Sequence, residues 1–347
     1  MRRTFVIGCC AWALMHALLG ATTTADPIED FYKGKSLRMI VGSPPGATYD
    51  IWARLVARHL GKHIPGNPAL VVQNMQGAGG TTATNYAYNV ASQDGTVVTL
   101  VGNTIPFEPM LGVPQTKFDA LKLNWLGSPG QDTAVTMVWH TVPVASIADA
   151  RTHKVKFAAT SLNGTAAFYV RIFNDVFKTR FTLVFGYPGL TEAVLAMERG
   201  EVDGHPSPYW SYLKSAKPDW IKEKKIKFLL QFGRVRNPEL PDVPFAHDLA
   251  TNDADRAVLD AAVAPLAMGL PFFLGPDVPA ERVAAMRRAF SDTFKDQEFL
   301  AEAKKQNLDI APITAEEAQK TVGDTYNMPK PVVDRLRRLY EAGEQKK

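Results

Sequence analysis

The feature that most constrains this chain is a junction used repeatedly, in which a short apolar run, a loop of small residues and an amphipathic segment follow one another. Its first instance reads "LRMIV", "GSPPGATYD", "IWARLVARHL" over residues 37–60. A short apolar run bounded by turn residues predicts a buried strand, and apolar residues at helical spacing predict a helix. Read this way, strands are expected at 37–41, 70–73, 97–102, 134–139, 156–159, 182–185, 227–231 and 266–274, and helices at 50–60, 81–90, 147–151, 166–177 and 190–199. Strands alternating with helices specify a wound α/β fold. Residues 279–306 read as helix-rich, and "GRVRNPELPDVP", 233–244, reads as a long surface connection. No fixed-period repeat or low-complexity tract points to a solenoid.

The first residues stand apart. Arg2 and Arg3 precede an apolar run from Phe5 to Leu19, and small residues follow to Ala25. This is the plan of a secretory signal peptide, and the run is too short for a membrane span. Cleavage near Ala25, giving a segment 1–25, would remove Cys9 and Cys10, the chain's 2 cysteines, and so exclude disulfides and thiol chemistry from the mature protein. Losing Arg2 and Arg3 from the 39 basic residues leaves 37 against 35 acidic ones, a balance of +2. That balance suggests neither nucleic acid nor a membrane surface as partner. The 347 residues, 46% hydrophobic and 21% charged, can build one large or two ordinary domains.

Hydrolase signatures are absent: there is no G-x-S-x-G and no H-E-x-x-H. "HLGKH", 59–63, places His59 and His63 four apart without a carboxylate between them, which reads as two surface histidines rather than a metal site. "VDGHPSPYW", 202–210, gathers Asp203, His205 and Ser207, and reads as an irregular loop lining something. No cofactor is expected.

The positive signal is four loops of small residues: 42–50, "GAGGTTATN" at 77–85, "SLNGTAAF" at 161–168 and "GYPGL" at 186–190. Each places small residues where the N–H groups of a helix start are unpaired, which favours an anion. Any one of them is an ordinary capped turn, with Thr81, Thr165 or Thr191 as cap; together they sit where open α/β sheets bind ligands. Loops 42–49, 77–85 and 161–168 hold no lysine or arginine, so an anion would meet amides and hydroxyls. Hydrogen bonds to a charged group contribute roughly 1.5–3 kcal/mol each, enough in fours or fives for micromolar binding at about −8 kcal/mol. Asp50, in the first turn of its helix, is stabilised by the helix dipole and can point away from such a ligand; the alternative is that it receives a ligand ammonium group.

In order and spacing, "SLRMIVGSPPGATYDIWARLVARHL", "VVQNMQGAGGTTATNYAYNVASQDGT", "GYPGLTEAVLAMERGEVDG", "NPELPDVP" and "FFLGPDVPAERVAAMRRAF" resemble the extracytoplasmic solute receptors of tripartite tricarboxylate transporters, the Bug-type receptors. The resemblance runs from about Asp26 to Gly323. It implies a two-lobed periplasmic binding protein fold of type II-like α/β architecture, with a ligand cleft between the lobes. Lobe one would be 26–128 plus 234–347, with the final helices packed on it, and lobe two 129–233. It also implies a periplasmic, non-enzymatic monomer that binds a small carboxylate and works with large and small integral-membrane subunits. The family's ligand loops map onto Pro45, Gly46, Ala47, Thr48 and Asp50, onto Gly77, Ala78, Gly79, Gly80 and Thr81, onto Ser161, Asn163, Gly164 and Thr165, and onto Tyr187 and Gly189. Asn103, Thr104, His205 and Ser207 are added from position alone.

Two departures from the family loop stand out. Ala47 occupies a glycine position, where a β-carbon restricts φ, and Tyr49 precedes the acid, where its phenol would narrow or redirect the site. Two other readings use the same residues: a secreted enzyme with Asp203 and His205 or Asp50 in acid–base roles, and a sensory receptor without a transport partner.

Overall fold

A computed structural model describes residues 26–159, 165–187 and 190–341. The expected signal segment lies outside them. Ten strands are present among the described residues: β1 (Ser36–Val41), β2 (Ala69–Asn74), β3 (Val97–Leu100), β4 (Asn124–Gly127), β5 (Ala134–Trp139), β6 (Val155–Ala159), β7 (Phe181–Phe185), β8 (Gly204–His205), β9 (Ile226–Phe232) and β10 (Phe272–Leu274). They form two five-stranded sheets, ordered β2-β1-β3-β10-β4 and β7-β6-β8-β5-β9. In the first, β1 runs parallel to β2 and β3, and β10 is antiparallel to β3 and β4. In the second, β6 is parallel to β7 and β8, and β5 is antiparallel to β8 and β9.

Side chains alternate across a strand, and β1 shows what that does here. Leu37, Met39 and Val41 face Trp52, Ala53, Leu55 and Val56 of the helix Thr48–Leu60. Ile40 faces the other way, into a core with Ala83 and Ala87 of the helix Thr81–Asn89. The strand is therefore covered on both sides, which is why it reads as a continuous apolar run. Each fully buried side chain of this size contributes about 1.5–3 kcal/mol.

Two expectations need correction. Residues 266–274 are not one strand: the helix Asp253–Met268 runs through the first three of them, and only Phe272–Leu274 is extended. An apolar run does not distinguish a buried helix end from a strand, and Pro265 inside the helix obscures it further. The segment 147–151 forms only the 3₁₀ turn Asp149–Arg151. The connection 233–244 is a surface segment as expected, most of its residues being exposed, and it is anchored from below by the fully buried Gln231 amide, which donates to the Leu240 and Val243 carbonyls at 2.7 and 2.8 Å and accepts from the Asn237 N–H at 2.8 Å.

The C-terminal third does not return as a block to the first sheet. Ala280–Thr293 and Gln297–Lys305 pack on it through Val283, Met286, Phe290 and Phe299. The helix Asp253–Met268 lies between the two cores: Val258, Leu259, Ala262 and Leu266 join the second sheet's core, whereas Ala264 and Met268 join the first sheet's. The last helix, Lys330–Glu341, buries Val332 and Leu336 with the helix Thr165–Phe177 in the second sheet's core.

Between β4 and β5 the chain passes through a tight crossing. Ser128 exchanges backbone hydrogen bonds with Ile313 at 3.0 and 2.9 Å. Its buried hydroxyl donates to the Gly130 carbonyl at 2.6 Å and accepts from the N–H groups of Gly130 and Leu270 at 3.2 and 2.8 Å. A β-carbon at Gly269, where φ is +58°, would fall 1.8 Å from the Gly130 oxygen, so this approach requires glycine.

Candidate functional site

The loops after β1, β2 and β3 meet at the carboxyl edge of the first sheet because glycine stands at each point of contact. A β-carbon at Gly42 would lie 2.9 Å from the Gly80 α-carbon, and one at Gly102 would lie 3.3 Å from the Gly79 carbonyl oxygen. Three strand ends thus bring three loops into direct backbone contact.

The loop after β1 is fastened by Asp50, which is 2% exposed. One carboxylate oxygen accepts from the Gly46 N–H at 2.8 Å and from Arg54 Nε at 2.9 Å; the other accepts from Asn74 Nδ2 at 2.8 Å. Asn74 also donates to the Ser43 carbonyl at 2.9 Å. The Arg54 hydrogen bond, joined by those from Gly46 and Asn74, outweighs burial and lowers the Asp50 pKa to about 2. Asp50 therefore closes the loop on itself and uses the Gly46 amide to do so, so both groups are already engaged within the chain. Ala47 takes the helix-capping position with φ −73°, which tolerates its β-carbon, and offers no side-chain cap. Among the described residues no group accepts from the N–H of Thr48, Tyr49 or Asp50, the first turn of that helix. Pro45 and Thr48 are exposed.

The loop after β2 is built on four successive left-handed residues: Gly77 (φ 142°), Ala78 (45°), Gly79 (66°) and Gly80 (115°). Gly77, Ala78 and Gly79 are exposed, and a β-carbon at Gly79 would meet nothing within 4 Å. The Ala78 and Gly79 N–H groups have no acceptor among the described residues. Thr81, 2% exposed, turns its hydroxyl inward, 2.7 Å from the Ala78 carbonyl and 2.7 Å from Glu108 Oε2. Burial raises the Glu108 pKa, with the Thr81 contact opposing it.

After β3, the Asn103 N–H donates to the Tyr49 hydroxyl at 3.2 Å, and Asn103 Nδ2 reaches the Tyr209 hydroxyl at 3.4 Å. Tyr49 thus braces the first-sheet loops instead of standing free. Burial raises its phenol pKa, Tyr209 adds to the rise, and the Asn103 N–H opposes it. Thr104 is exposed beside it, at the start of the turn Ile105–Phe107.

Tyr209 belongs to the segment after β8. That segment is tied along β5 by Val135 N–H to the Pro208 carbonyl at 3.0 Å, Trp210 N–H to the Thr133 carbonyl at 2.8 Å and the Thr136 hydroxyl to the Pro206 carbonyl at 2.8 Å. The Asn103–Tyr209 contact therefore sets the carboxyl edges of β3 and β8, one from each sheet, against each other. His205 ends β8. Its Nδ1 accepts from the Ser207 N–H at 3.2 Å, which leaves the proton on Nε2, and burial lowers its pKa to about 4. Asp203 does not join it: its carboxylate accepts from the Lys156 N–H at 2.7 Å.

Thr165 is exposed at the first position of the helix Thr165–Phe177. Tyr187 is partly buried, and burial, followed by the adjacent Glu201 carboxylate, raises its pKa. Ser161, Asn163, Gly164 and Gly189 lie outside the described residues. Sequence reasoning misses Tyr209, although it stands in the quoted "HPSPYW". It also misses Asn74 and Glu108, whose partners are distant in sequence. His59 proves buried, 8% exposed, and its Nε2 lies 2.7 Å from Glu302. His59, Asp296 and Glu298 are close enough to hold a cation, but the Lys62 ammonium already stands 2.7 and 2.6 Å from the two carboxylates.

No family model matches the chain. Protein BugT of Bordetella pertussis is 35% identical over 95 residues, 27% of this chain and 28% of that relative's length. A TctC solute-binding protein from Polaromonas, solved with no ligand, superposes over 91% of this chain and 100% of its own, with a TM-score of 0.66 at 18% identity. The family resemblance read from the sequence is borne out. MatC from Rhodopseudomonas palustris, solved with bound malate, matches over 89% of this chain and 99% of its own, with a TM-score of 0.60 at 16% identity. The chain therefore has the two-lobed α/β fold of the Bug- and TctC-type periplasmic binding proteins.

Proposed function

We propose that this chain is a periplasmic receptor that captures a small carboxylate between the carboxyl edges of its two sheets and delivers it to the large and small membrane subunits of a tripartite tricarboxylate-type transporter. The observation that carries this reading is the Asn103–Tyr209 contact at 3.4 Å, which opposes the two edges. The Thr48, Tyr49, Ala78 and Gly79 amides on the first edge, without acceptors among the described residues, support it, because amides at helix starts favour an anion without a cationic partner. The nearby Arg54 is engaged by Asp50. His205, neutral near pH 7 with its proton on Nε2, supplies a donor from the second edge. The lobes in this reading are the two sheets with their helices, and Asp253–Met268 is the shared wall. The signal segment expected from the sequence at 1–25 supports the periplasmic location. Malate in MatC and adipate in a second Rhodopseudomonas palustris protein of this fold make aliphatic dicarboxylates the first ligands to try.

Thermal-shift measurements against dicarboxylates, tricarboxylates, aromatic acids and amino acids test the reading. A ligand at 100 times its Kd adds roughly 2.7 kcal/mol to the native state. A flat response to every acid counts against it. Recovery of the bound acid unchanged separates a receptor from an enzyme.

A further inference from the structure

Glu108 has no part in ligand capture as proposed. It stands at the start of the short helix Glu108–Leu111, beneath the loop after β2. Its Oε2 and the Ala78 carbonyl oxygen both lie 2.7 Å from the Thr81 hydroxyl oxygen. A threonine hydroxyl carries one proton, and a backbone carbonyl can only accept. If Thr81 donates to Glu108, two acceptors face each other at Ala78. If Thr81 donates to Ala78, Glu108 must supply the other proton.

We propose that Glu108 is a positioning residue of the candidate site: as a neutral acid it donates to Thr81, whose own proton then fastens the Ala78 carbonyl and holds the turn Ala78–Gly80 with its amides outward. The surroundings agree. Among the described residues, no group on the helices packed against this segment forms an ion pair with Glu108. On Lys330–Glu341, Arg337 donates to the Met110 carbonyl at 2.9 Å and pairs with Asp334 at 3.8 Å, and Asp334 also pairs with Lys330 at 2.6 Å. On Ala315–Tyr326, the Tyr326 hydroxyl donates to the Pro106 carbonyl at 2.9 Å, with Asp119 close enough to act on that phenol. Burial favours the uncharged form of a carboxyl group in such a place.

Raising the pH would ionise Glu108, leave two acceptors on one hydroxyl and loosen the turn. The part of the inference that concerns ligand affinity rests on the receptor reading; the proton arrangement does not. The test follows the backbone amide signals of Gly79 and Gly80 in ¹⁵N-labelled protein, without ligand, as pH is raised from 5 to 9. The wild type should show a transition above the ordinary glutamate range. Glu108→Gln, which keeps a neutral donor, should keep the low-pH positions and lose the transition, whereas Glu108→Ala should displace both signals at every pH. Flat signals in the wild type, or the same transition in Glu108→Gln, overturn the proposal. In a second arm, affinity for malate should fall about tenfold across the transition in the wild type and stay level in Glu108→Gln. Absence of malate binding at every pH speaks against malate as ligand, while the Gly79 titration still decides the role of Glu108.

Discussion

The loop after β1 is held by an ionised carboxylate, Asp50, in contact with an arginine, an asparagine and a backbone amide. The loop after β2, packed directly against it, depends on a hydroxyl and a carboxyl group that forms no ion pair with the charged groups around it. Both present unpaired amides at a helix start, so the ligand-facing chemistry is alike and the supporting chemistry is opposite. Arg54, half exposed, can reach Asp50 from the surface. Glu108 lies where burial outweighs its one hydrogen bond. In the proposed reading, a site for an anion need not contain a cation, provided that the negative groups beneath it are neutralised locally, one by pairing and the other, as inferred above, by protonation.

The comparison is broken most severely at Asp50. Asp50→Ala should lower stability by about 3 kcal/mol in urea denaturation, the low end for removing one partner of a buried pair because Arg54 is half exposed. A loss below about 1 kcal/mol would mean that the loop stands without its brace.

Gly79 tests the second loop. Its φ of 66° disfavours any β-carbon, and among the described residues no atom lies within 4 Å of the position that one would occupy. Gly79→Ala should therefore cost about 1 kcal/mol and Gly79→Val about 2 kcal/mol, from backbone strain alone. Gly79→Val should also weaken carboxylate binding roughly 100-fold, about 2.7 kcal/mol, as read by calorimetry. Unchanged affinity would remove this loop from the site.

The pH dependence of stability sharpens the contrast. The Asp50 pKa, about 2 in the fold, is below its ordinary value, so its contribution is complete above about pH 4 and disappears as pH falls toward 2. The loss should be on the order of 1–2 kcal/mol and absent in Asp50→Asn. Glu108, shifted upward, acts in the other direction: its contribution is complete below the ordinary glutamate pKa and declines as pH rises through the raised one. The smallest effect belongs to Tyr209→Phe. A contact of 3.4 Å is near the outer limit of a hydrogen bond, so stability should change by about 0.5 kcal/mol or less.

The strand-loop-helix junctions are legible in the sequence because local signals specify them: apolar runs, glycine and helical periodicity all lie within a few residues. Gly46 and Gly79 stand out from the amino-acid sequence alone, and their positive φ is what such loops require. What is not legible depends on distant partners. Asn74 matters because it reaches Ser43 and Asp50, and Glu108 because Thr81 lies above it. Asp50 admits two readings in the sequence, and only the hydrogen bonds of Gly46 and Asn74 choose between them. The helix Asp253–Met268 escapes a reading by periodicity because both its faces are buried, which removes the polar side that such a reading needs.

Ser128, the residue after β4, uses every hydrogen-bonding capacity of its hydroxyl to bind the turn that follows, at Gly130, and the chain returning at Leu270. Such a point resists local yielding, so the passage of the chain from the first sheet to the second is held in one fixed course.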